Sequence, residues 1–439
     1  MARSSLNREI LRLAIPALGA LIAEPAFLIV DAALVGHLGT TPLAGLGIAS
    51  AVLQTFVGLM VFLAYSTTPA VARRFGAGDP GDAVSVGIDG MWLALGLGAV
   101  LAVAGAWSSP WLVGLFGASE AVAQQADTYL VISMWGLPAM LVVFAATGLL
   151  RGMQDTMTPL WIAGSGFAAN AALNALFIYG LGWGIAGSAL GTVVAQWGMV
   201  GAYVVVVGRL ARRHDASIRA ELSGIRGSAR SGGWLFLRTV SLRVALLATV
   251  GVATGIGTTE LAGWQVVYTV FSAAAFALDA LAIAAQALIG KNLGAKDEQA
   301  ARQVLARTVA WGTWFGVVVG LAIGALSGVI GLVFTGDPDL AALIQPALIV
   351  LAVAQPVAGV VFVLDGVLMG AGDARYLALA GGINLLVFLP ALAVVAATGV
   401  DGVAGLIWIA VAFFGVYLLV RLATLGLRVR TGRWLRVAV

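Results

Sequence analysis

The sequence predicts an all-α polytopic membrane protein, with twelve transmembrane helices in two parallel-repeat six-helix lobes around a central cavity. Three observations predict it. Hydrophobic residues make up 61% of the 439-residue chain and charged residues only 10%, against about 45–50% and about 25% in soluble domains. Apolar runs long enough to cross a bilayer recur twelve times, and one residue pattern returns at a fixed offset half-way along. Mean hydropathy is +1.02, which excludes a water-soluble enzyme, a nucleic-acid binder and a disordered scaffold. The 58 glycines fit the same class, because Gly lets membrane helices approach closely.

A helix needs roughly 20 mostly apolar residues to cross a hydrocarbon core of about 30 Å. Splitting the chain at charged and Gly/Pro-rich breaks places spans near 10–35, 43–72, 83–106, 121–149, 158–180, 185–208, 231–255, 262–290, 303–327, 339–370, 375–398 and 403–427. All are read as helices, because lipid cannot satisfy backbone groups left open in irregular segments. The connections near 36–42, 107–120, 181–184, 256–261, 328–338 and 399–402 carry no Lys or Arg. The opposite segments are basic, with Arg73, Arg74, Arg151, Arg212, Arg213, Lys291 and Arg375 among them. The positive-inside rule therefore predicts a multi-pass protein of the plasma (inner) membrane with both termini cytoplasmic. The first apolar run, Ile10–Gly36, is too long and too interrupted, by Glu24 and Asp31, for a cleaved signal peptide.

Cysteine is absent and only His37 and His214 represent histidine. Disulfides, thiolate sites and multi-His metal centres are thus excluded, and neither a metal nor another cofactor is expected. The chain has no Gly-x-x-x-x-Gly-Lys phosphate loop, so it is not expected to drive transport with ATP.

One offset, 218 residues, relates the two halves. Gly39-Thr40-Thr41-Pro42-Leu43-Ala44-Gly45 returns as Gly257-Thr258-Thr259-Glu260-Leu261-Ala262-Gly263, and Gly76-Ala77-Gly78-Asp79 returns as Gly294-Ala295-Lys296-Asp297. Gly148, Leu150, Gly152 and Asp155 map onto Gly366, Leu368, Gly370 and Asp373, and Gly184-Ile185-Ala186-Gly187 onto Gly402-Val403-Ala404-Gly405. Each repeat holds an even number of spans, so the halves share one membrane orientation. The division is an N-lobe over 1–208, a cytoplasmic linker over 209–230 and a C-lobe over 231–439. Such an architecture suits a secondary transporter working by alternating access.

A charge at the centre of a membrane helix costs about 2.5–3.5 kcal/mol on insertion scales, which makes each one a candidate for function. Span one carries Glu24 and Asp31, seven residues apart and therefore on nearly one stripe. Span five carries Asn170 and Asn174 one turn apart. Tyr129 on span four and Thr192 on span six supply further oxygens at matching depth. Together these residues can form a polar pocket around one carboxylate. Desolvation disfavours the ionised form of a lone buried carboxylate, so such a group can load and release a proton near neutral pH. The bland alternatives are that Asp31 faces headgroups, that Glu24 is a satisfied packing polar, and that the asparagines only glue helices.

The second lobe has no equivalent set: Asp31 maps onto Thr249, Asn170 onto Phe388 and Asn174 onto Leu392. It offers instead Arg243 in span seven and Asp279 in span eight, both roughly 17–18 Å from the cytoplasmic helix ends at 1.5 Å per residue. They are expected to be neighbours, either as a structural ion pair or as additional polar residues of the cavity. Asp365 has no obvious partner in the sequence. Pro16 and Pro25 interrupt span one, and each removes a backbone donor, giving either a static kink or a moving bend.

At these residues the chain resembles the multidrug and toxic compound extrusion (MATE) family, in its DinF-type branch. The resemblance is carried by Val30-Asp31-Ala32-Ala33-Leu34-Val35-Gly36-His37-Leu38-Gly39, by Phe75-Gly76-Ala77-Gly78-Asp79, and by Leu150-Arg151-Gly152-Met153-Gln154-Asp155-Thr156-Met157-Thr158-Pro159. It implies an efflux antiporter, not an enzyme, exporting small organic compounds, often cationic or amphipathic, in exchange for protons or sodium ions. The partners implied are the substrate, protons and the bilayer, with no nucleic acid, and a monomer is expected. Family coupling residues fall on Asp31, Tyr129, Asn170 and Thr192. Asn174 stands where some members carry a second aspartate, which favours protons over sodium. The family bends span one at a proline matching Pro16. A sodium-coupled antiporter and a lipid-linked-substrate flippase of the same superfamily are the alternatives.

Overall fold

A computed structural model describes residues 3–436 of the chain, and every regular element among them is helical. Eleven helices are long and apolar enough to cross a membrane. They are α1 (Arg3–Gly36), α2 (Thr40–Gly76), α3 (Pro80–Gly114), α5 (Met157–Gly180), α6 (Gly184–Arg213) and α7 (Leu222–Ile256). The rest are α8 (Thr258–Gly294), α9 (Glu298–Phe334), α10 (Pro338–Gly370), α11 (Ala374–Thr398) and α12 (Gly402–Arg430). The twelfth span, α4, is a pair of helices, Glu120–Met134 and Leu137–Gly152, bent by 48°. Pro138 opens the second half of α4, where its missing N–H breaks no helical hydrogen bond. The all-helical, twelve-span fold is the predicted one. Most helices outrun their hydropathy: α8 has 37 residues, about 55 Å at 1.5 Å per residue, so its polar ends stand well outside a core of about 30 Å.

Much of the repeated sequence turns out to be helix punctuation. Gly78 has φ +87°, and the Asp79 carboxylate caps α3 by accepting from Asp82 N at 2.9 Å. One repeat later Lys296 has φ +58°, and Asp297 caps α9 through Ala300 N at 2.8 Å. Asp155 likewise accepts from Met157 N and Thr158 N, both at 3.0 Å, at the start of α5. A side-chain oxygen at a helix start satisfies donors that have no partner within the helix. These motif residues stop and restart helices; none of them reaches the candidate site.

The chain forms two compact units, Ile15–Gly232 and Met1–Ala14 with Gly233–Val439. The first residues of α1 thus group with the second unit, and the linker over 209–230 with the first. The first turns of α1 pack with the second unit, where Lys291 Nζ lies 2.9 Å from Glu9 Oε1 and Arg307 Nε donates to Asn7 Oδ1 at 2.6 Å. The linker packs with the first unit, on one face of α3. Ser217 N donates to Ser85 Oγ at 3.0 Å, Trp92 Nε1 to Ile218 O at 3.2 Å, and Glu221 N to Asp89 Oδ1 at 2.8 Å.

Asp89 is a charge that the sequence reading passed over. It is buried and serves as a foreign cap at the start of α7. Asp89→Ala should cost about 1–2 kcal/mol, the value of a helix cap, and should speed tryptic cleavage in the linker at Arg212, Arg213 and Arg219. Unchanged cleavage would mean that the linker is held by other contacts.

In the second unit, Gly312, Gly316 and Gly320 of α9 lie flat against α10. A Cβ at Gly316 would overlap the Gln355 carbonyl, and one at Gly320 the Ala352 carbonyl. Lipid offers no hydrophobic force between helices, so such close backbone approach is a main source of their attraction. Gly316→Val should destabilise the unit by about 1–3 kcal/mol, the range for overpacked cores, measured by thermal unfolding in detergent.

Candidate functional site

The first unit gathers four predicted residues, Tyr129, Asn170, Asn174 and Thr192, around the predicted carboxylate of Asp31. Asp31, near the end of α1, is 4% exposed. Its Oδ1 accepts from Asn174 Nδ2 at 2.7 Å and from Ser188 Oγ at 2.6 Å, and its Oδ2 accepts from Tyr129 Oη at 3.2 Å. Behind this shell Asn170 Nδ2 donates to Thr192 Oγ1 at 2.9 Å, and Thr192 Oγ1 donates to Ser188 O at 3.0 Å. Four helices converge: α1 supplies the acid, α4 the phenol, α5 the two amides and α6 the two hydroxyls. Asn170 and Asn174 are one turn apart, and so are Ser188 and Thr192, which puts each pair on one helix face.

The chemistry of the site is set by its neutral donors. Three hydrogen bonds hold the carboxylate, and among the described residues no guanidinium or ammonium is a partner. The side-chain oxygens Asn170 Oδ1 and Asn174 Oδ1 are buried without a partner. An acid with free acceptors beside it can be satisfied in both protonation states. As an ion it accepts from Asn174 Nδ2; protonated, it can donate to an amide oxygen once that amide turns over. Among the described residues no group of three or more His, Asp or Glu is placed to hold a metal.

A cavity of about 100 Å³ adjoins this shell. Tyr129, Asn170 and Thr192 belong to its polar lining, with Ser50, Gln54 and Gln196, and Phe27, Phe167 and Met199 to its apolar lining. The two phenylalanine rings stack at 5.3 Å. Small-molecule pockets have this composition, mostly apolar with a few placed polar groups.

Ser188 was missed in the sequence. Its signal was its position one turn before Thr192, but an uncharged Ser in a membrane helix does not stand out. Gly191 was missed as well: a Cβ there would overlap the Asn174 side-chain oxygen, so only Gly leaves room for the amide. The side chain of Glu24 lies outside the described residues. Pro16 and Pro25 sit inside α1, which continues as one helix through both.

In the second unit, Arg243 on α7 is exposed and Asp279 on α8 half-buried. Asp365 corrects the sequence reading, which gave it no partner. It is buried and accepts from Arg238 Nη2, from Arg238 Nε at 3.3 Å and from Arg421 Nη2 at 2.9 Å. The partners come from α7 and α12, both remote in sequence.

The MatE family profile matches twice, over residues 16–176 and 236–395. The chain belongs to the MATE family of transporters. The double match falls on the two sequence repeats. Protein DETOXIFICATION 44, chloroplastic, of Arabidopsis thaliana is 31% identical over 454 residues, covering 98% of this chain and 84% of that protein. DNA damage-inducible protein F of Escherichia coli (strain K12) is 28% identical over 308 residues, covering 67% of this chain and 65% of that protein. Among solved structures, the Vibrio cholerae MATE transporter VcmN in the bent form superposes with a TM-score of 0.88. It has 20% sequence identity, and the match covers 99% of this chain and 98% of that one. The fold is thus that of MATE transporters.

Proposed function

We propose that this MATE-family transporter is a proton-coupled efflux antiporter for small organic compounds, with Asp31 as the coupling acid. The observation that carries the reading is the buried Asp31 carboxylate, held only by neutral donors at the edge of an apolar cavity. In the proposed cycle a proton from outside neutralises Asp31 and the Asn174 amide turns to accept from it. This rearranges the wall formed by Tyr129, Asn170 and Thr192, and the cavity releases its occupant. Pro16 lies inside α1 and has no backbone N–H to give to the helix, which makes that turn of α1 the natural place to bend. The proposal includes cytoplasmic termini, a plasma-membrane location and a monomeric carrier.

A sodium-coupled cycle is the second reading, and it draws on the same unpartnered oxygens, Asn170 Oδ1 and Asn174 Oδ1. A neutral amide at Asn174 leaves a single carboxylate for the ion, which is why protons are preferred. The test is uptake of a fluorescent organic cation into inside-out proteoliposomes under a proton gradient and, separately, a sodium gradient at matched membrane potential. Proton-driven uptake is expected. Uptake driven only by sodium would replace the coupling ion, and no uptake under either gradient would shift weight to a lipid-linked substrate.

A further inference from the structure

The second unit buries more positive than negative charge in one place. Asp365 lies between Arg238 and Arg421, and the two guanidinium side chains are only 11% and 12% exposed. Asp365 is their one acidic ion-pair partner among the described residues. Arg421 Nη1 also donates to Tyr417 Oη at 3.2 Å. Each guanidinium has five donors in a planar fork, so one carboxylate leaves several of them unused. A buried charge left without a counter-charge is costly, and proteins rarely keep one without a use.

A second observation points to the same place. Asn384 on α11 is 1% exposed, and neither its Oδ1 nor its Nδ2 has a hydrogen-bond partner. Gly381, Asn384 and Phe388 fall on one face of α11 by their spacing. A Cβ at Gly381 would sit 3.7 Å from Arg238 Cα, and the Phe388 ring packs on Tyr417 at 5.4 Å. By its spacing Asn384 falls between these two contacts, on the face of α11 that meets Arg238 and Tyr417. Buried polar groups are normally paired; a donor and an acceptor both idle on the helix face that meets the arginine cluster point to a polar ligand.

We propose that Arg238, Arg421 and Asn384 form a binding site for an oxyanion group, a phosphate or a carboxylate. The guanidiniums supply charge-assisted donors in the geometry that suits such groups, Asn384 Nδ2 adds one more, and Asn384 Oδ1 accepts from a hydroxyl on the ligand. The ligand brings the missing negative charge, while Asp365 holds the arginines apart and oriented. The site is independent of the Asp31 reading and stands in the other unit. The same chemistry has two sources, a free solute or the phosphate of a lipid headgroup.

The test uses the full-length protein at constant ionic strength. Inorganic phosphate and, separately, acetate replace chloride in neutral detergent, with thermal unfolding and titration calorimetry as readouts. In parallel, nanodiscs of phosphatidylcholine are compared with nanodiscs containing phosphatidylglycerol. Saturable stabilisation is expected in at least one arm, with a soluble anion indicated by the first and a headgroup by the second alone. Arg421→Gln keeps the Arg238–Asp365 pair and should weaken binding at least tenfold. Asn384→Leu touches no ion pair and should weaken it at least threefold, which keeps the proposal testable should the arginine variant misfold. Arg430→Gln, an exposed charge on the same helix, should change nothing. The proposal is overturned by no response in either arm, or by a response that survives both Arg421→Gln and Asn384→Leu.

Discussion

Asp31→Asn should abolish proton-driven accumulation of substrate while leaving the protein folded. An amide of the same shape can still accept from Asn174 Nδ2 and Ser188 Oγ through its oxygen, and its Nδ2 can donate to Tyr129 Oη, 3.2 Å from the present Oδ2. Stability should fall by about 1–2 kcal/mol, the difference between hydrogen bonds to a charged and to a neutral acceptor. Transport should fall much further. One proton crossing 100 mV supplies about 2.3 kcal/mol, enough to sustain a concentration ratio of about 50-fold for a neutral substrate. Without a titratable group at position 31 that ratio should collapse to one, while binding in the cavity beside Phe27 and Phe167 persists. The measurements are accumulation in proteoliposomes and fluorescence-detected binding on the same preparation. Full gradient-driven transport by Asp31→Asn would move the coupling acid elsewhere, and loss of binding together with transport would make Asp31 a substrate contact instead.

What made this site legible in the sequence was expense. A carboxylate in a membrane span, two amides one turn apart and a helical stripe that faces them are costly to keep in lipid, so few other arrangements compete for them. The fold was legible for a related reason: the length of an apolar run and the side of its basic flanks follow from bilayer thickness and surface charge. Features without such a cost stayed hidden. Ser188 donates the shortest bond to Asp31, but a hydroxyl that can also bond its own helix backbone is unremarkable anywhere in a membrane span. The membership of the first turns of α1 in the second unit rests on Glu9 and Lys291, charges that look like ordinary solvated residues near a helix end. Asp365 was visible as a charge, yet its partners stand 127 and 56 residues away, and no spacing rule joins three helices. The family motifs drew attention to Asp79 and Asp155, and both proved to be helix caps.

Asp365→Leu should be the most damaging single change in the second unit. Removing the acid leaves Arg238 and Arg421 buried side by side with no counter-charge, and breaking a buried ion pair in this way costs about 3–5 kcal/mol. Removing one arginine is a different matter: Arg238→Met or Arg421→Met leaves a one-to-one pair and should cost clearly less. The triple variant Arg238→Met, Asp365→Leu, Arg421→Met should recover most of the loss, because well-packed apolar residues often match or exceed a buried ionic cluster in stability. Thermal and denaturant unfolding of the single, double and triple variants in detergent measures the coupling directly. Additive losses across the set would mean that the three residues do not act as one cluster. Recovery of stability in the triple variant together with loss of anion binding would separate the two roles of the arginines: the lobe folds without them, and they are kept for what they bind.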